Sequence, residues 1–213
     1  MDTTPWRLGA VGPVQQSPVT CGSASLTVAR MLVDAGFARW IVTGRTRAGG
    51  MTDDRTEQAR FADYERVVMS RTNSVVGAGG RLQLPWPRAL GTPPWGALGE
   101  LEAGAAAPGT RYGMRVVRFA GPAALRGTYR HLAHVVGDGR PALLYVGDAL
   151  SPRHVTLVLP AAGEGVIDVY DPASGAVTAL DEDRYAARRL GLAGWSMPWV
   201  LIQPDGRHTA AVG

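Results

Sequence analysis

The sequence predicts an α+β fold in which a mainly helical part, about residues 1–110, precedes an antiparallel sheet, about residues 111–205. In the first third of the chain, apolar residues recur at the 3.6-residue period of amphipathic helices. After residue 110 the pattern changes to short apolar segments bounded by turn residues, which is typical of strands. We expect a single domain over residues 1–213, with 206–213 as a flexible tail.

Two helices are predicted in the N-terminal part. Residues 23–35 carry one apolar face, and Gly36 is the expected C-cap, because glycine readily adopts the left-handed conformation that ends helices. Residues 53–70 form the second helix, with Asp53 and Asp54 in its first turn.

A loop rich in glycine and proline follows over residues 73–95, where long regular elements are excluded. Trp86 and Trp95 in this loop either line a substrate groove or pack over the core. The remaining pattern predicts helices over 95–103, 122–136 and 181–189, and strands over 115–119, 141–146, 154–159, 166–171 and 199–203.

Composition excludes several function classes. All 22 basic residues are arginine, which rules out a lysine Schiff base or a phosphate-loop lysine. The net charge is +4, but the arginines are scattered among acidic residues, so we predict no nucleic-acid partner. No signal peptide and no run of about 18 apolar residues is present, which predicts no membrane partner and a cytoplasmic location. Export without a cleavable signal is the alternative, and the oligomeric state is left open.

The one cysteine of the chain, Cys21, lies at the start of the first predicted helix. Backbone N–H groups and the helix dipole favour a thiolate there, which raises nucleophilicity. A lone cysteine is also a common core residue. The nucleophilic interpretation therefore requires a base and a group that orients the base.

Four histidines are available as the base. His131 and His134 lie on a predicted helix without a third ligand nearby, so we predict no metal site, and His208 is in the tail. His154 begins a strand, and a hairpin turning about residues 162–163 would place it directly opposite Asp171 in the next strand. A one-residue slip would send the two side chains to opposite faces, and a bulge in the turn is the main source of error.

The spacing Gln15-x5-Cys21-Gly22, followed by His154 before an apolar strand and by Asp171-Pro172, resembles the papain-like cysteine peptidase superfamily. The branch it resembles most contains bacterial double-glycine leader peptidases that process bacteriocins.

This resemblance implies that the nucleophile helix packs against an antiparallel sheet, within one papain-like domain. It implies Cys21 as nucleophile, His154 as general base and acid, and Asp171 as the orienting carboxylate, with no metal or cofactor. Gln15 matches the oxyanion position and Gln16 is the neighbouring candidate. Thr20 departs from the acidic residue common before the cysteine in that branch.

The predicted function is hydrolysis of a peptide or amide bond in a peptide or protein substrate, through an acyl-enzyme. A deamidase, amidase or acyltransferase with the same triad, acting as an effector on a partner protein, is one alternative. A non-catalytic papain-like binding module is another, and it predicts a broken constellation of the three residues.

Overall fold

The computed structural model describes residues 6–45, 52–161, 163 and 165–206, and it confirms the α+β prediction. Six strands form one antiparallel sheet in the order β1-β6-β2-β3-β4-β5. The strands are β1 Tyr112–Val116, β2 Ala142–Gly147, β3 Pro152–Pro160, β4 Ile167–Tyr170, β5 Val177–Leu180 and β6 Met197–Pro204. The helices are α1 Cys21–Val33, α2 Ala35–Thr43, α3 Glu57–Asn73, α4 Pro94–Glu100, α5 Pro122–Val135 and α6 Glu182–Ala186.

Helices cover both faces of the sheet. Alternate residues of a strand point to opposite faces, so Leu143 and Tyr145 of β2 join the core beneath α1 to α3, whereas Leu144 and Val146 join the core beneath α5 and α6. All six residues of β2 are buried as a result. β2 therefore has no solvated face, which explains why its sequence is a continuous apolar run.

The first helix differs from the prediction at both ends. α1 begins at Cys21 and ends at Val33, and Gly36 is not a C-cap but lies inside α2. One extended residue, Asp34, separates the two helices, and its side chain caps α2 by accepting the N–H of Phe37 at 2.9 Å. The helix predicted over residues 23–35 therefore exists but lies two residues earlier, and the predicted C-cap is wrong because Asp34 stops one helix and starts another.

The second predicted helix begins too early. Thr56 is the N-cap of α3 and accepts the Ala59 N–H at 3.2 Å, so Asp53 and Asp54 lie before its first turn. Asp53 instead pairs with the guanidinium of Arg55 at 2.6 Å, and this contact lowers the pKa of Asp53 to about 2.

The strand predictions over 141–146, 154–159, 166–171 and 199–203 are each correct to within two residues at either end. The prediction for β1 is wrong by three residues, because pairing of Tyr112 with Pro204 and of Val116 with Val200 fixes its position. β5 was not predicted, since its four residues include no apolar run and it is defined by its ladder with β4. The last helix, α6, is shorter than the predicted 181–189.

Residues 10–17, which we call the bridging segment, connect the helical part with the sheet. Its backbone forms hydrogen bonds to the turn after β4, from Gln15 N to Pro172 O at 2.8 Å and from Gly12 N to Gly175 O at 2.7 Å. The segment thus runs from the edge of the sheet formed by β5 to the start of α1.

The loop predicted over residues 73–95 spans residues 74–93 between α3 and α4, and it contains two single-turn 3-10 helices, Ala78–Gly80 and Arg88–Leu90, and a β-bridge between Val76 and Leu82. The helix predicted over 95–103 is instead α4 followed by a π-helical turn, Leu101–Ala105. Residues 207–213 of the predicted tail, His208 among them, and Ala162 of the predicted turn lie outside the described residues. Within the described ranges, no helix combines the length and apolarity needed to cross a bilayer.

Candidate active site

Cys21 is the first residue of α1 and is 5% exposed. The preceding Thr20 makes no side-chain cap, because its hydroxyl donates to the Ser17 carbonyl at 2.9 Å. The first N–H groups of a helix have no partner within the helix. The end of α1 that bears the thiol therefore presents uncapped donors.

Helix α1, which begins at Cys21, is attached to β3, the strand that carries His154. Ser25, one turn after Cys21, donates from Oγ to the carbonyl of Val155 in β3 at 3.4 Å, and this carbonyl belongs to the residue after His154. This is the arrangement that the papain-like resemblance implies, a helix headed by the cysteine on an antiparallel sheet that bears the histidine. This hydrogen bond fixes the position of the first turns of α1 relative to β3.

Asp171 lies directly after β4 and contacts His154. The distance from His154 Nε2 to Asp171 Oδ1 is 2.7 Å, and both residues are 6% exposed. Asp171 is itself held in a tight turn, where Oδ1 accepts the N–H of Ala173 at 2.9 Å and its backbone carbonyl accepts the N–H of Gly175 at 2.7 Å. The turn therefore orients the Asp171 carboxylate independently of its contact with the imidazole of His154.

The predicted register between these two strands is wrong by two residues. Leu157 pairs with Tyr170 and Val158 with Val169, so continuing the ladder places Asp171 opposite Thr156 rather than opposite His154. A two-residue shift keeps a side chain on the same face of the sheet. The predicted contact therefore forms diagonally across the strands.

The charged form of His154 is stabilised within the site. Burial lowers the pKa of His154, but the hydrogen bond to Asp171 and the interaction with the Cys21 side chain outweigh it and raise the pKa to about 9. Burial also opposes ionisation of Asp171, and the hydrogen bonds from His154 and from the Ala173 N–H outweigh it and lower the pKa of that carboxyl. A protonated imidazole beside a carboxylate is thus favoured at neutral pH.

The His154 ring meets Asp171 through one nitrogen only. Nε2 contacts the carboxylate, which leaves Nδ1 as the ring nitrogen that can serve another partner. Cys21 and His154 line the same cleft, and interaction with Cys21 contributes to the raised pKa of His154.

The two candidate glutamines have different surroundings. Gln15 is half-buried, its Nε2 donates to Ser17 O at 2.8 Å, and its buried Oε1 has no partner. Gln16 is exposed, and its Nε2 donates to the Ala62 carbonyl of α3 at 2.6 Å. The amide of Gln16 is therefore engaged by α3, whereas Gln15 retains one uncommitted N–H.

A cleft of about 450 Å³ opens beside Cys21 and His154. Its walls are largely apolar and include Trp86, Leu90 and Val200, while Arg153 lies at its rim and pairs with Asp148 at 3.1 Å. Trp86 thus lines the groove, and Trp95 packs edge-on against Trp86 with ring centroids 5.2 Å apart.

The sequence did not identify the residues that anchor this cleft wall to α1. Thr92 is buried, its hydroxyl lies 3.2 Å from that of Ser23, and its carbonyl accepts the Tyr145 hydroxyl at 3.1 Å. A Cβ on Gly22 would lie 2.6 Å from the Cβ of Thr92, so glycine after the cysteine is what permits this close packing. The Cys-Gly pair in the sequence is the one signal that pointed here.

Among the residues that the structure describes, no three His, Cys, Asp or Glu side chains form a cluster suited to a metal ion. His131 and His134 are exposed on α5.

No family model matches this sequence. No curated protein matches it either. Among solved structures, the chain is similar to the Pseudomonas avirulence protein AvrPphB, with a TM-score of 0.47 and 14% identity over 89% of this chain and 95% of that one. It is also similar to the peptidase domain of Streptococcus ComA, a bi-functional ABC transporter involved in a quorum-sensing pathway, with a TM-score of 0.42 and 13% identity over 92% of this chain and 100% of that one.

Proposed function

We propose that the protein is a cysteine peptidase-like hydrolase that cleaves a peptide or amide bond through Cys21, His154 and Asp171. The observation that carries this proposal is the position of the His154 ring, which bonds to the Asp171 carboxylate at 2.7 Å and lines the same cleft as Cys21, the only cysteine of the sequence. A nucleophile, a base and a group that orients the base are the parts that covalent catalysis by cysteine requires.

In the proposed reaction, the Cys21 thiolate attacks the carbonyl carbon of the scissile bond, and the carbonyl oxygen becomes an oxyanion. The C–N bond then breaks as protonated His154 gives its proton to the leaving amine, which leaves a thioester on Cys21. His154, now neutral, takes a proton from water, the hydroxide attacks the thioester, and the thiolate and a carboxylic acid are released. Asp171 stabilises the imidazolium at each stage.

We assign the oxyanion site to the Nε2 of Gln15 and the backbone N–H of Cys21. Gln15 has a second amide hydrogen not engaged by Ser17, whereas the Gln16 amide bonds to α3. Preorganised donors of this kind contribute on the order of 10²–10³ in turnover.

The catalytic proposal is favoured over a binding module by the burial of the charged pair. Burying a charged imidazole and a carboxylate together costs folding free energy. A protein that only bound a partner would not require such a buried pair next to a cysteine. The apolar cleft next to them fits a peptide segment in extended form, with the scissile carbonyl at Cys21.

The proposal is tested by incubating the protein with a tryptic digest of a bacterial proteome and identifying new termini by mass spectrometry. We expect cleavage by the wild-type chain and a loss of roughly 10⁴–10⁶-fold in Cys21→Ala. Denaturation in acid during turnover traps the acyl-enzyme, whose mass on Cys21 identifies the acyl group. Conversion of glutamine to glutamate without new termini would support the deamidase alternative instead, and no Cys21-dependent product of either kind would refute the proposal.

A further inference from the structure

Glu65 of α3 is a buried carboxyl that the proposed reaction does not use. Its side chain has no solvent exposure, and Oε2 accepts the backbone N–H of Gln16 at 3.3 Å. The other carboxyl oxygen, Oε1, is buried with no partner. A buried carboxyl with an unsatisfied oxygen destabilises a fold, so its presence here requires an explanation.

Glu65 is part of a face of α3 that holds the bridging segment. Gln58 Nε2 donates to the Val14 carbonyl at 3.0 Å, and the Ala62 carbonyl accepts Gln16 Nε2 at 2.6 Å, so residues 58, 62 and 65 contact the segment from successive turns. These hydrogen bonds from α3 fix the position of the bridging segment.

The opposite side of the bridging segment is held by the strand that leads to Asp171. Tyr170 donates its hydroxyl to the Pro13 carbonyl at 2.5 Å, and Gln15 N donates to Pro172 O at 2.8 Å. Gln15 therefore lies on a segment clamped between α3 and the turn that carries the orienting carboxylate.

The Glu65 carboxyl can accept the hydrogen bond from the Gln16 N–H in either protonation state. Burial raises the pKa of Glu65 to about 7, and the hydrogen bond from the Gln16 N–H and the nearby Thr20 side chain act in the opposite direction. The neighbouring Tyr170 hydroxyl has its pKa raised by its own burial and by the charge of Glu65. The protonated carboxyl retains an acceptor oxygen for the Gln16 N–H.

We propose that Glu65 is a positioning residue for the oxyanion site, which holds the bridging segment so that the Gln15 amide faces the carbonyl attacked by Cys21. The inference rests on the proposed function and deepens it. Glu65 acts through Gln15 and does not touch the reacting atoms.

The test compares two reactions of Cys21 that differ in their need for an oxyanion site. Acylation by p-nitrophenyl acetate passes through a tetrahedral oxyanion: the thiolate bonds to the acetyl carbon and p-nitrophenolate leaves. Alkylation by iodoacetamide displaces iodide at a saturated carbon and creates no oxyanion. The ratio of the two rates therefore reports on oxyanion positioning without a known substrate.

We expect Glu65→Met to lower the acylation rate about tenfold or more while alkylation changes less than about twofold, because a misplaced donor no longer stabilises the oxyanion. Glu65→Gln keeps an acceptor for the Gln16 N–H and should restore acylation to within about threefold of wild type. Glu65→Leu provides the same comparison if Glu65→Met does not fold. Val68→Ala, a buried apolar position one turn along α3, is the matched control, and it should lower the melting temperature without changing the rate ratio.

An unchanged rate ratio in Glu65→Met, or an equal fall in both rates, would overturn the inference and leave the proposed function standing. A wild-type chain that is not acylated at Cys21 at all would overturn both.

Discussion

His154 and Asp171 lie diagonally across β3 and β4, two positions out of direct opposition, yet His154 Nε2 is 2.7 Å from Asp171 Oδ1. Diagonal neighbours on one face of an antiparallel pair are within reach of long side chains. Asp171 lies beyond the last ladder pair, where the turn after β4 brings its carboxylate toward the histidine. The contact therefore depends on the turn as well as on the sheet.

Replacing Asp171 with asparagine should lower the pKa of His154. An opposite charge next to an ionisable group shifts its pKa by roughly 1–3 units, and asparagine keeps the shape of the side chain without the charge. We expect the His154 pKa to fall from about 9 by that amount, measured by NMR titration of the ring protons, with the signal assigned by its loss in His154→Ala. An unchanged titration in Asp171→Asn would show that the carboxylate does not stabilise the imidazolium.

Stability should depend on pH in two successive windows that overlap near pH ~7. The His154 pKa rises from 6.5 to about 9 on folding, so the folded state binds this proton more tightly, and the contribution is complete below pH 6.5 and lost as pH rises to about 9. The Glu65 pKa rises from 4.5 to about 7, so its contribution is likewise lost over that lower range.

Melting temperatures measured from pH 4.5 to 9 should therefore fall in both windows for the wild type. Glu65→Gln should flatten the lower window, and His154→Gln should flatten the upper one. A variant that flattened the other residue's window would contradict these assignments.

Gly22→Ala should disrupt the contact between the nucleophile helix and the cleft wall. The added methyl would lie 2.6 Å from the Cβ of Thr92, so the loop must move, and overpacking of this kind costs about 1–3 kcal/mol. Thr92→Gly removes the obstructing atoms and should recover much of that loss in the double variant. Urea denaturation of the four proteins gives the coupling energy, and strictly additive effects would show that the two residues do not compete for the same space.

The two glutamines should differ in their effect on acylation of Cys21. We expect Gln15→Ala to slow acylation by p-nitrophenyl acetate by a factor on the order of 10², because an oxyanion donor is lost. Gln16→Ala loses only the bond to Ala62 O and should slow acylation less than about tenfold. Iodoacetamide alkylation serves as the internal control for both variants, and the reverse order of effects would assign the oxyanion site to Gln16.

The sequence could predict those parts of the fold that depend on local pattern. The amphipathic period located α5 and the apolar runs located β2, β3, β4 and β6, because burial on one or both faces leaves a direct imprint on composition. The end of α1 was predicted incorrectly because Asp34 serves at once as the stop of one helix and the cap of the next, and glycine at residue 36 was the stronger local signal.

The features that depend on tertiary contacts could not be predicted. β5 has no apolar run and exists as a strand through its pairing with β4. Glu65 reads in sequence as an ordinary charged residue of a helix, and only the packing of α3 against the bridging segment buries it. The predicted His154–Asp171 contact formed despite a wrong register, because the error was an even number of residues and left both side chains on one face.

The measurement that tests the central claim most directly is the rate of Cys21 alkylation by iodoacetamide from pH 5 to 9, in the wild type and in His154→Ala. The chain has one cysteine, so the product is unambiguous. If His154 carries a proton beside the thiolate, the wild type should react readily at pH 6, and His154→Ala should be slower there by about tenfold or more. Superimposable profiles that rise only near pH ~8.5, as for an ordinary cysteine, would contradict the account.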